Sequence, residues 1–345
     1  VDSVVSIKKT SLAKLLKFPF KCCNLFFILS MIIYYNYQMK HLDSKILYYT
    51  HSSQNIVTAH INQNEWFKVT TQMNRGPDSD LVPKNIRSLY NQYRSDNQPK
   101  DYGNPSSGCI YINGANIGQV LEVEIGKIKV NPVGWTRYKG STGALPGYLG
   151  KSNIGEQFKV CMINDNMILW DKNLSFPVEP MIGVIGLAPK IESKHNGWAG
   201  IWGGNFDIQE ITTNAKVYLP IEHQGALLHI GDMHARQGDG EICGGGGIET
   251  GGEVELRVRA IDRPTSMTWP RIEDENYIMT TACEKPAEDA FRIALCEMIL
   301  WLEEDYKMPQ GEAFMFLSQC LEARVTQFVN PTYTYVAKVA KKFLK

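Results

Sequence analysis

Between Gly231 and Glu249 the chain reads Gly-Asp-Met-His-Ala-Arg-Gln-Gly-Asp-Gly-Glu-Ile-Cys-Gly-Gly-Gly-Gly-Ile-Glu. This sets Asp232, His234, Asp239, Glu241 and Cys243 among seven glycines in nineteen residues. Carboxylates and an imidazole are the ligands and proton carriers of hydrolytic chemistry, and glycines let a backbone take positive φ and approach a ligand closely. Asp232 and His234 lie two apart, a spacing that points both side chains to one face of an extended strand. Asp239 and Glu241 repeat that spacing. Such donors suit a metal held by mixed carboxylate and imidazole, whose bound water has its pKa lowered to about 7. The run lacks the apolar stripe of a helix and is poor material for a core strand, so a shaped loop is expected. Cys243 reads as a nucleophile or as an inert buried thiol, and no histidine shares a local signature with it. Asp207, after Gly203-Gly204-Asn205-Phe206, reads as a functional residue or a turn residue, and Glu249 as pocket lining or solvent-facing.

The elements around this run are short and mostly extended. Strand-like stretches fall at 66–71, 109–112, 120–130, 157–163, 216–220 and 254–260, and the last alternates strictly as Val254-Glu255-Leu256-Arg257-Val258-Arg259-Ala260. They predict a β-rich body over 54–265, a barrel or a sandwich. The texture changes after Pro264. Pro286-Ala287-Glu288-Asp289 opens a helix, and Ala290, Phe291, Ala294, Met298, Trp301 and Leu302 share one of its faces. A second helix is expected over 309–321, a strand-like stretch over 326–334 and a basic helical tail over 338–345. The expected class is mainly β (α+β), with a short C-terminal helical part at 285–322.

The 345 residues carry 36 Lys plus Arg against 36 Asp plus Glu, so there is no electrostatic footprint for nucleic acid or an anionic membrane. Eight cysteines lie at irregular spacing without a Cys-x-x-Cys pair, which fits reduced thiols in a cytoplasmic protein. Near the start, Lys8, Lys9, Lys14, Lys17 and Lys21 precede a short apolar run over 22–35. That is the order of a secretory signal, but no Ala-x-Ala-like site follows and the run is short for a membrane span. Residues 1–44 are expected to be a leader outside the fold, and 45–345 the functional domain.

Ordered blocks resemble the acetamidase/formamidase family. They are Gly183-Val184-Ile185-Gly186-Leu187-Ala188-Pro189, Gly203-Gly204-Asn205-Phe206-Asp207, Tyr218-Leu219-Pro220-Ile221, Gly225-Ala226-Leu227 and the 231–241 segment. Asn104 to Ala115, Glu312 to Ser318 and Arg324 to Val329 extend the resemblance from about residue 55 to the end. It implies hydrolysis of a small aliphatic amide, formamide or acetamide, to ammonia and a carboxylate with a divalent metal, often zinc. Carried onto this chain, it implies Asp232, His234 and Asp207 as metal ligands and Glu241 as general base. Asn205, Asp239 and Cys243 fall beside substrate. Partners implied are a small-molecule amide and further copies of the chain in a homo-oligomer, with no nucleic acid and no membrane. A Cys243-dependent amidase and a catalytically silent binding protein of the same fold are the alternatives. Trp202, His229 and Gly244-Gly245-Gly246-Gly247 depart from the family pattern, and 72–100 matches it poorly.

Overall fold

The structure is a computed structural model that describes residues 39–94, 98, 103–140, 142–145 and 155–344. The chain divides into units 1–40 and 41–345, and the fold described here is that of the second. Most of the leader expected over 1–44 lies outside the described residues.

In chain order the elements that matter begin with β1 (Trp66–Thr71), α1 (Lys84–Tyr93), β2 (Ser106–Ile112), β3 (Val120–Val130), β4 (Val133–Lys139) and β5 (Glu156–Asn164). Then come β6 (Met181–Gly186), β7 (Gly203–Asn205), β8 (Lys216–Pro220), β9 (Leu228–His234), β10 (Glu249–Thr250) and β11 (Gly252–Ile261). The last group is β12 (Arg271–Glu273), β13 (Tyr277–Glu284), α2 (Ala287–Tyr306), α3 (Gln310–Cys320), β14 (Glu322–Gln327) and β15 (Tyr333–Ala340).

One sheet runs in the order β1, β11, β3, β8, β12, β13, β15, β14, with antiparallel pairing throughout. The other runs β5, β4, β10, β9, β6, β7, also antiparallel, with β2 pairing to β9. Neither path closes on itself among the described strands, so this unit is an open sandwich and not a barrel, and a small third sheet pairs Thr50–His51 with Lys194–His195. Alternation explains how the sheets face each other. Val254, Leu256 and Val258 of β11 and Leu121, Val123 and Ile125 of β3 share one buried cluster with Ile182 and Ile185 of β6 and Leu228, Ile230 and Met233 of β9. Each such side chain contributes roughly 1.5–3 kcal/mol by leaving water. The intervening residues of β11 face outward, where Arg257 and Arg259 pair with Glu124 and Glu122 across β3.

The two C-terminal helices cover β13 and β15. Met298, Trp301 and Leu302 of α2 and Ala313 and Leu317 of α3 bury against Ile278 and Val339. Two sequence expectations change here. The basic helical tail expected over 338–345 is not found among the described residues: Lys338 to Ala340 complete β15, paired with β13, and a 3₁₀ turn follows at Lys341–Phe343. Burial of Val336, Ala337, Val339 and Ala340 fixes the strand, which outweighs the helix-friendly lysines beyond it. The stretch 326–334 is likewise the end of β14, a turn, and the start of β15. Helix α1, in the poorly matching 72–100 region, buries Ile86 and Tyr90 in a cluster with Trp135.

Candidate active site

The segment that opens the chemistry is not all loop. Leu228 to His234 forms β9, buried along its whole length between β2 and β10 on one edge and β6 on the other. The expectation of a loop therefore fails up to His234. Gly231 is what allows strands to pack there, since a Cβ at this position would lie 2.2 Å from the carbonyl oxygen of Pro105. Beyond Gln237 the chain does loop, through a 3₁₀ turn at Asp239–Glu241 and the four-glycine run, and returns as β10. That return sets Glu249 directly opposite His234.

Four carboxylates converge on one imidazole. His234 Nε2 lies 3.4 Å from Glu249 Oε2 and 3.8 Å from Asp232 Oδ1. Ligand atoms of Asp207, Asp232 and His234, and likewise of His234, Glu241 and Glu249, lie within 4.8 Å of one another. All of these residues are buried. Asp207, Asp232 and Glu241 each hold positive φ, at 49°, 50° and 40°. Aspartate tolerates that region, whereas for glutamate it is costly, and such strain gathers at functional sites. Gly183 leaves the room they need: a Cβ there would meet Asp207 Oδ1 at 2.5 Å and Asp232 Oδ2 at 2.9 Å.

Asp207 Oδ1, Asp232 Oδ1, His234 Nε2, Glu241 Oε2 and Glu249 Oε2 are all buried without a hydrogen-bond partner. Buried polar atoms are nearly always paired, and a cluster of orphaned oxygen and imidazole donors has the chemistry of a divalent-cation site. Around its edge, Asn330 Nδ2 donates to Asp207 Oδ2 at 3.0 Å, and the Gly246 N–H reaches Glu241 Oε1 at 3.4 Å. Burial, with Asp232 beside it, pushes Asp207 up to about 7, and burial with Glu249 pushes Asp232 up to about 6. Burial and Asp207 hold Glu241 well above the usual carboxylate range. For His234 burial disfavours the imidazolium, but Glu249 and Asp232 outweigh it and hold the ring well above its ordinary value.

A pH dependence follows for the chelator-treated protein. Asp207 and Asp232 keep their protons in the folded state up to about 7 and about 6, whereas the unfolded chain releases them near 3.8. The folded state then binds more protons than the unfolded one, so the stability these groups contribute is full below about pH 4 and is lost as pH rises to 7. His234, raised above 6.5, adds loss of the same sign at higher pH. Thermal unfolding is expected to show a midpoint that falls over this range in chelator and recovers with zinc, most strongly at the upper end. A midpoint that rises with pH in chelator would contradict it.

Asp232, Glu241 and Glu249 of the cluster line a cleft of about 630 Å³, together with Asn74, Arg75, Trp135, Arg137, Phe158, Asn205 and Asn330. Of the residues singled out from sequence, the structure brings together Asp207, Asp232, His234 and Glu241, with Asn205 lining the same cleft. Asn205 is 2% exposed and its Oδ1 has no partner. Asp239 is not brought in. Its side chain is 64% exposed and pairs with Arg324 at 2.7 Å, because the 3₁₀ turn separates residues two apart where a strand would align them. Cys243 lines a neighbouring groove between α1 and β5, and burial pushes its thiol up, away from thiolate. Sequence reasoning missed Gln237 and Asn330 and left Glu249 undecided. Asn330-Pro331 is a turn signal that went unused in a stretch read as strand.

This mainly β sandwich with a buried carboxylate–imidazole cluster beneath a cleft can be set beside known proteins. The family model described as Acetamidase/Formamidase family matches residues 201–337. The crystal structure of an acetamidase from Bacillus halodurans is 30% identical, with a TM-score of 0.77, over 88% of this chain and 98% of that one. An acetamidase of Mycolicibacterium smegmatis is 44% identical and a formamidase of Methylophilus methylotrophus 42% identical, each over 59 residues. Those 59 residues span 17% of this chain and 14% of each of these two proteins. The chain belongs to the acetamidase/formamidase family. Among the described residues no helix is long and apolar enough to cross a membrane.

Proposed function

We propose that this chain hydrolyses a small aliphatic amide, formamide or acetamide, to ammonia and a carboxylate, with a divalent cation, zinc being the first choice. The observation that carries the reading is the set of orphaned, buried donor atoms, three of whose residues line the cleft, in a member of this family. Asp207, Asp232 and His234 are the proposed ligands, with Glu249 a further donor through its 3.4 Å approach to His234. When bound, such a cation supplies Lewis acidity, which polarises an amide carbonyl and acidifies water. Glu241 takes a proton from the attacking water and delivers it to the departing nitrogen, so that water plus amide yields the carboxylic acid plus ammonia, which exchange one further proton to leave as carboxylate and ammonium. Asn205 Oδ1, buried and unpartnered, accepts a hydrogen bond from the substrate N–H and orients the amide. Asn330 holds Asp207 in place. The chain is further proposed to act in the cytoplasm as a homo-oligomer.

The test is ammonia release from formamide and acetamide. Activity is expected to disappear in chelator and to return with zinc, while thiol alkylation leaves it unchanged. Activity that survives chelation but falls on alkylation would favour Cys243 as nucleophile. A folded, zinc-loaded chain that releases no ammonia would leave the silent binding protein.

A further inference from the structure

We infer that Gln237 is a positioning residue which fixes the ring of His234 with its proton on Nδ1, so that Nε2 is the atom turned to the carboxylate cluster and offers its lone pair there when the ring is neutral. This rests on the reading of that cluster as a cation site. The orientation of the Gln237 amide is decided by its neighbours. Its Nε2 lies 3.0 Å from the carbonyl oxygen of Asp207 and 3.1 Å from that of Thr326. Carbonyl oxygens only accept, so the amide nitrogen must face them and donate to both. The amide oxygen is then left for His234, whose Nδ1 lies 2.7 Å from Gln237 Oε1. An oxygen acceptor requires a proton on Nδ1. In the neutral ring that leaves Nε2 as a lone pair, and Nε2 is the buried atom without a hydrogen-bond partner beside Glu249 and Asp232.

Three features make this a built arrangement. Gln237 and His234 are 7% and 0% exposed, so water does not compete for the bond. At Gly247 a Cβ would lie 2.6 Å from His234 Nδ1, so the backbone closes over that edge of the ring. The same amide also ties down the backbone of Asp207, another proposed ligand, and joins it to Thr326 at the end of β14. One side chain thereby sets the tautomer of the imidazole and the place of a carboxylate. Partners of this kind on a ligating histidine typically account for about 10- to 100-fold in metal affinity.

The experiment uses the full chain labelled with ¹⁵N-histidine, with His234→Ala to assign the resonance, and zinc titration of the parent, Gln237→Met and Gln237→Glu. In the parent, metal-free, the His234 Nδ1 proton is expected to exchange slowly. Gln237→Met matches the length but offers no oxygen; it should lose that protection and bind zinc about 10- to 100-fold more weakly. Gln237→Glu, whose carboxyl can both accept from Nδ1–H and donate to one carbonyl, should keep the protected proton and bind zinc more tightly than Gln237→Met. A parent ring protonated on Nε2 alone, or a freely exchanging Nδ1 proton, would overturn the inference even if neither variant folds. Parent-like zinc affinity in a folded Gln237→Met would overturn the positioning role alone. A parent that takes up no zinc would overturn that role together with the cation site.

Discussion

Replacing His234 by alanine is expected to abolish tight zinc binding and to lower turnover of formamide and acetamide by roughly 10³-fold or more, since a lost Lewis acid withdraws several kcal/mol at 1.36 kcal/mol per decade. The imidazole belongs to both sets of converging donors, Asp207–Asp232–His234 and His234–Glu241–Glu249. It is also the only nitrogen ligand among them. Without it the four acids remain buried against one another, and buried carboxylates that lack a compensating cation take up protons instead of ionising. Asp207 and Asp232 already sit near about 7 and about 6 with the ring in place. Truncation therefore removes a donor and also weakens the remaining ones. The measurement is elemental analysis of the purified variant beside ammonia release, with circular dichroism to verify the fold. A variant that keeps its zinc and its rate would end the proposed ligand set.

How much of this was legible before coordinates depended on where the information sits. Residues 120–130 and 216–220 match β3 and β8 to the residue. In 254–260, within β11, strict alternation marks a strand with one buried face. β9 carries no such mark. It is buried on both faces, so it shows no alternation, and its glycine and polar residues looked like a loop that holds a site. The grouping of Asp207, Asp232, His234 and Glu241 was legible because ligand chemistry restricts residue type and the family blocks preserve order. Glu249 was not, because its role comes from register: the glycine run turns the chain back so that it pairs with His234. Gln237 and Asn330 were invisible for a related reason. Both also bond Asp207, 30 and 123 residues away, a link that no local spacing encodes. Asp239 failed in the opposite sense, since a two-residue spacing means one face only while the backbone stays extended.

Glu241→Gln is expected to lower kcat by about 10²- to 10⁴-fold while zinc content and KM stay near those of the parent, the range typical for loss of a general base. The exchange keeps shape and an oxygen, so it tests proton transfer in particular. Two observations support Glu241 as the proposed base. Its Oε2 is buried and unpartnered, while Oε1 has only the long 3.4 Å contact from Gly246, so the carboxylate is not committed to a structural bond. Burial, reinforced by Asp207, also holds it well above the ordinary carboxylate range, which makes it a stronger base once ionised. The strained φ of 40° is the backbone's means of turning this side chain inward while Asp239, two residues earlier, turns out to Arg324. The acid limb of the kcat/KM profile should vanish in the variant, because the group whose ionisation it reports is gone. A rate within tenfold of the parent, with zinc retained and that limb intact, would move the base to another carboxylate of the cluster.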